Sequence, residues 1–144
     1  MYRKVLVPLD GSKLSECSLE HVKEIVKGCQ IPEVILLVAV EPPEAEVFHN
    51  LMEKALVKAE DYLLRVASGL DEEGIAAKAE VVVGMPANVI LDYTAQNHID
   101  LIIMSTHGKS GSSRWLFGSA ADKIIRNSAV PLLTVTLAGC GAKI

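Results

Sequence analysis

The residues best able to do chemistry lie in two short stretches, "PLDGS" at 8–12 and "STHGKSGSSRWLFGS" at 105–119. The second is rich in glycine and serine. Gly108 and Gly118 bracket nine residues, and Gly118-Ser119 opens a helical pattern. Loop amides, the free N–H groups of a helix start and a serine hydroxyl together hold an anion without a cationic side chain. Phosphate binding is therefore the chemistry this loop points to, with a plain helix cap as the alternative. In the first stretch Asp10 ends an apolar run, where its carboxylate can accept hydrogen bonds from a pair of ribose hydroxyls. Asp-Gly-Ser is equally a turn and cap signal.

Other phosphate and catalytic sites fail on spacing. A nucleoside-triphosphatase P-loop needs a glycine five positions before its Gly-Lys, and five before Gly108 stands Ile103, inside an apolar run. The dinucleotide fingerprint G-x-G-x-x-G is absent after the first apolar run, where "VLVPLDGSKLSE" has one glycine. His107 has no G-x-S-x-G nucleophile elbow to serve and no acidic residue within its loop, so loop structure or ligand contact is expected of it rather than catalysis. His21, His49 and His98 lack metal-ligand spacing. Lys109 and Arg114 read as solvated loop charges, and Trp115 and Phe117 as rings that anchor the loop.

These stretches must be positioned by a scaffold. Apolar runs of strand length fall at 5–9, 34–40, 79–83, 101–105 and 131–136. Most are continuous rather than alternating, which suits strands buried on both faces of a parallel sheet. Between them lie helical patterns. The first spans 12–29, with Ser12 as a cap and Leu19, Val22, Ile25 and Val26 on one face. The second, 50–70, carries an apolar stripe of Met52, Leu56, Ala59, Leu63, Val66 and Leu70. A third begins near Pro86 and carries Val89, Ile90 and Tyr93. A fourth runs from Ser119 through Ile124 and Ile125 to Asn127. Residues 41–50, "EPPEAEVFHN", are expected to form a long, mobile connection. Strand and helix in strict alternation predict an α/β fold, in which ligands bind beyond the carboxyl ends of the strands.

With 144 residues, half of them apolar, the chain is expected to be one domain, with its core over about 2–137 and a short C-terminal tail. A net charge of -4 and no basic run argue against a nucleic-acid partner. "MYRKVLVPLDG" is short for a signal sequence, and no apolar run is long enough to span a bilayer, so a cytoplasmic protein without a membrane role is expected. Cys17, Cys29 and Cys140 are widely spaced, which suggests neither a disulfide framework nor a zinc site. Cys17 and Cys29 read as small core or helix-end residues and Cys140 as an exposed thiol.

"KVLVPLDGS", "GMP" at 84–86, "DLIIMSTHG", "LFGSAADKIIRNS" and "VPLLTV", in that order, cover nearly the whole chain. Together they resemble the universal stress protein family, in its small single-domain form. The resemblance implies an open five-stranded parallel sheet, order 3-2-1-4-5, with helices on both faces. Asp10 and the glycine loop would then flank one crevice. The nucleotide-binding branch of that family resembles G-x-x-G, nine residues, then G followed by Ser or Thr. On this chain the pattern falls on Ser105, Gly108, Gly118 and Ser119, with serine in place of the first glycine. The resemblance further implies that Pro8, Leu9 and Asp10 line the adenosine, Ala39 the adenine, and that Met104 presents backbone groups to the base or ribose, with His107 in the same loop. ATP, AMP or ADP, with Mg accompanying the phosphates, would be the ligand, and a homodimer would form through residues 130–136. The expected function is that of an adenine-nucleotide-binding stress sensor or regulator rather than an enzyme. A nucleotide-free dimeric interaction module is the alternative, and a slow ATPase using Asp10 or His107 a third.

Overall fold

The computed structural model describes residues 2–42, 48–107 and 119–140. Five strands, β1 (Lys4–Leu9), β2 (Glu33–Val40), β3 (Ala77–Val83), β4 (Leu101–Ser105) and β5 (Leu132–Val135), form one sheet in the order β3-β2-β1-β4-β5. Every neighbouring pair is parallel. The helices are α1 (Leu19–Cys29), α2 (Phe48–Glu72), α3 (Pro86–Gln96), α4 (Ser119–Asn127) and a single turn, α5 (Leu137–Cys140); a 3-10 turn over Ser15–Ser18 leads into α1.

Successive strand residues serve opposite cores, which is why the apolar runs are unbroken. Val5, Val7 and Leu9 join Val34, Leu36 and Val38 in a cluster with Val22, Val26 and Leu63 of α1 and α2. Leu6, Ile35, Leu37, Ile102 and Met104 face the other way, into a cluster with Val89, Ile90 and Ile124 of α3 and α4. The edge strand β3 is only half-buried along its length. It begins two residues before the expected start because Ala77 and Lys78 pair with Val34 and Ile35 without contributing an apolar signal.

The stripe expected on α2 faces the sheet: Met52, Ala59, Leu63 and Leu70 are buried, with Leu56 and Val66 packed beside them. Pro86 occupies the first turn of α3, where its missing N–H has no intrahelical acceptor to lose. In α4, Ile124 is buried and Ile125 is exposed. The connection expected over 41–50 is shorter, because α2 starts at Phe48; residues 43–47 lie outside the described residues.

The cysteine reading is corrected by the structure. Cys17 and Cys140 form a disulfide, with Cα atoms 5.1 Å apart, and Cys29 is the exposed free thiol. Cys140, in α5, is thus covalently tied to the turn after β1 and is not an exposed thiol. Wide sequence spacing concealed a tertiary pairing.

Lys23 of α1 joins the end of α2 by an ion pair of 2.6 Å to Glu73 Oε2 and reaches Glu20 Oε1 at 2.9 Å. The hydrogen bond from Lys23 holds the Glu73 carboxyl below its ordinary range, and those from Glu73 and Glu20 raise the Lys23 ammonium. A lowered carboxyl contributes stability above its unfolded-state pKa and loses it as pH falls through the folded value. The Lys23 contribution is complete below its ordinary pKa and is lost as pH rises through the raised one. Urea midpoints of the parent and Glu73→Gln should therefore differ at neutral pH and converge in acid. A gap that persists below the carboxyl's folded pKa would deny the pair this role.

Candidate functional site

The strand order reverses between β1 and β4, so their carboxyl ends border the crevice where ligands of open α/β sheets bind. The β1–β4 ladder covers Val5↔Leu101 and Leu6↔Ile102. It is not carried on to Pro8, which has no N–H to donate. Beyond that point a side chain joins the two strand exits: Ser105 Oγ donates to the Ser15 carbonyl oxygen at 3.1 Å.

The Asp10 turn is organised by hydroxyls. Asp10 Oδ1 accepts from Ser12 N at 2.9 Å and from Ser12 Oγ at 2.6 Å. Ser12 Oγ accepts from Ser15 N at 3.1 Å, while Ser15 Oγ accepts from Asp10 N at 3.2 Å and donates to Ser12 O at 2.8 Å. Gly11 has φ of 87°, a conformation that favours glycine in this turn. Ser12 thus holds the first amide of the 3-10 turn rather than capping α1, whose N-cap residue Ser18 makes no side-chain cap. On the far side of the turn, Tyr62 of α2 donates to Glu16 Oε2 at 2.9 Å, and burial together with this bond pushes the phenol pKa well up.

Three of the residues expected to contact the nucleotide share one face. Met104 belongs to the α3–α4 core, Ala39 packs against it, and alternation along β1 puts Pro8 on the side of Leu6. They stand on β4, β2 and β1, adjacent strands, near the carboxyl ends. Leu9 does not join them, since its side chain is buried in the opposite core. Asp10 lies just past β1 and Ser105 ends β4. His107 is buried, and its Nδ1 lies 2.9 Å from Thr106 Oγ1. Thr106 in turn donates its N–H to the Val135 carbonyl at 3.0 Å, tying the end of β4 to β5. Ser119 is exposed at the first residue of α4, as the sequence suggests. Gly108 and Gly118, with Lys109, Arg114, Trp115 and Phe117, lie outside the described residues. Sequence reasoning treated Asp-Gly-Ser as a turn but missed Ser15 and Thr106, whose contacts with Ser105 and Val135 are set by tertiary approach.

A family model described as the universal stress protein family matches residues 1–136. The chain belongs to this family. It is 31% identical over 140 residues to the universal stress protein MJ0531 of Methanocaldococcus jannaschii, covering 94% of this chain and 82% of the relative. The solved structure of MJ0577, a universal stress protein of the same organism, superposes with a TM-score of 0.86 at 33% identity, covering 94% of this chain and 96% of the other. The universal stress protein from Archaeoglobus fulgidus in complex with dAMP has the same fold at 19% identity and a TM-score of 0.71, over 92% of this chain and 97% of the other. Solved members also include complexes with AMP and with cAMP. The fold expected from the resemblance, a parallel sheet ordered 3-2-1-4-5 with helices on both faces, is the observed one.

Proposed function

We propose that this universal stress protein binds an adenine nucleotide, AMP or ATP, at the carboxyl ends of β1, β2 and β4, and acts as a cytoplasmic sensor or regulator. The observation that carries this reading is the convergence of Pro8, Ala39 and Met104 on one face beside the Asp10 turn at the strand-order reversal. The apolar face suits a base, and the carboxylate a ribose. Phosphates would go to Ser119 and the glycine loop, with any Mg held by the phosphates themselves. The described residues include no cluster of three or more histidine, cysteine or acidic side chains that could hold a metal. Family members solved with AMP, cAMP and dAMP lend the class of ligand. A homodimer through residues 130–136 is part of the proposal, supported by Leu132 and Leu133, which are half-exposed on the edge strand β5.

Calorimetric titration with AMP and ATP tests the reading. Asp10→Ala should weaken binding by about 1–2 kcal/mol, the scale of hydrogen bonds to a charged acceptor. Asp10→Asn retains an oxygen for Ser12 while removing the charge, so it separates ribose recognition from turn structure. Equal affinity in parent and both variants would remove Asp10 from the site, and no binding by the parent would favour a nucleotide-free dimeric module.

The hydroxyl of Ser105 is engaged with Ser15, so glycine at this position would release that tie while opening space. These effects oppose each other, and Ser105→Gly should shift nucleotide affinity by no more than about tenfold, near the net value of one hydrogen bond. Binding by the glycine variant alone would mean that this serine closes the site.

A further inference from the structure

The disulfide joins two elements that are not neighbours in the sheet. Cys17 lies in the 3-10 turn that follows β1, and Cys140 in α5, which follows β5. β4 stands between β1 and β5, so the covalent link crosses the carboxyl end of β4, where Ser105, Thr106 and His107 emerge. Both cysteines are half-exposed, and α5 is a single helical turn whose Ala138 and Gly139 are exposed. The Cα separation of 5.1 Å lies within the range that a disulfide spans without backbone movement. Cys17 Sγ is 3.7 Å from the Lys13 carbonyl oxygen, an acceptor for its proton in the dithiol state.

The Cys17 end of the link sits in the hydrogen-bond system of the candidate site. Ser15, two residues earlier, accepts from Asp10 N through its hydroxyl and from Ser105 Oγ through its carbonyl. Fixing this turn fixes the presentation of Asp10.

We propose that Cys17 and Cys140 form a reversible redox strap across the end of β4 that couples thiol oxidation to the nucleotide crevice. Its coupling to ligand rests on the nucleotide-binding reading; the strap itself does not. A low-molecular-weight disulfide is the oxidant. The Cys17 thiolate attacks one of its sulfurs, forming a mixed disulfide and releasing one thiolate. The Cys140 thiolate then attacks Cys17 Sγ, closing the protein disulfide and releasing the second. Two protein thiols are oxidised and one small disulfide is reduced to two thiols. In the cytoplasm proposed for this protein, disulfides are usually transient and catalytic or redox-sensing.

The full-length chain equilibrated in oxidised or reduced glutathione tests this. Peptide mapping after alkylation should recover a Cys17–Cys140 linked pair in the oxidised sample, with Cys29 alkylated in both, and thiols at all three positions in the reduced one. Absence of the link, or its persistence in reduced glutathione, overturns the proposal. Amide exchange over residues 10–18 should be slower in the oxidised form. Cys140→Ser should exchange like the reduced parent in both buffers, and Cys29→Ser like the parent. Identical exchange in the two redox states of the parent overturns the coupling. AMP should bind the oxidised form at least about threefold more tightly, because the turn is ordered beforehand. Equal or weaker binding to the oxidised form overturns that arm, whereas binding to neither form counts against the nucleotide reading and leaves mapping and exchange to decide the strap.

Discussion

Leu63→Ala is expected to lower the free energy of unfolding by about 2–5 kcal/mol, the range for removing a large aliphatic side chain from a core that cannot fully collapse. Leu63 is fully buried in the middle of α2, against the cluster that holds Val5, Val7 and Leu36 of the central strands. Nothing beside it can fill the space, because the facing side chains belong to hydrogen-bonded strands fixed in register. Leu64, one residue on, is 53% exposed, and Leu64→Ala should change stability by no more than about 0.5 kcal/mol. Urea unfolding of the pair separates burial from helix propensity, which is the same substitution in both. Equal costs at 63 and 64 would mean that α2 is not seated on the sheet by this face.

Gly84→Ala should cost a further core's worth of damage from one carbon atom. Gly84 has φ of 152°, and a Cβ built there would meet Val89 Cγ2 at 2.7 Å. Its N–H donates to the Val40 carbonyl at 2.9 Å, so the backbone cannot swing away without breaking the link between the end of β2 and the exit of β3. Backbone strain of about 1–3 kcal/mol and overpacking of about 1–3 kcal/mol together predict a loss of roughly 2–6 kcal/mol. A cycle with Val89→Ala divides the two causes. Removing the valine methyls should return part of the loss and leave the strain, giving a coupling energy that favours the double variant. Strict additivity would show that the clash is absorbed elsewhere.

The fold was legible because the two faces of the sheet are both covered. Each central strand became an unbroken apolar word, and the helix between each pair kept a single stripe, as Leu63 and Leu70 show on α2. Legibility failed where partners are distant or the element is short. The "LAGC" of α5 has too few residues for a period to register, and a disulfide between positions 17 and 140 leaves no local mark. The edge strand β3 hid its first residues because Lys78 can face solvent. At the candidate site, Asp10, Pro8 and Ala39 were expected at the strand ends from a family pattern and from the rule that ligands sit beyond them. The hydroxyl ties of Ser15 to Asp10 and Ser105 were not, since serine carries the same letter whether it braces a turn or merely faces water.

The link between residues 17 and 140 also changes what kind of polymer the chain is. With a sequence separation of 123 between its ends, the linked segment of the oxidised protein is a closed ring. Pulled from points on either side of the link, it pays out only the chain beyond the two cysteines, and roughly 400 Å of contour stays locked inside the ring. Reduction returns that length to the chain. Denatured without reductant, the molecule should remain compact and migrate ahead of its reduced form on a gel, and a force-extension trace should show the missing length appear when reductant is added.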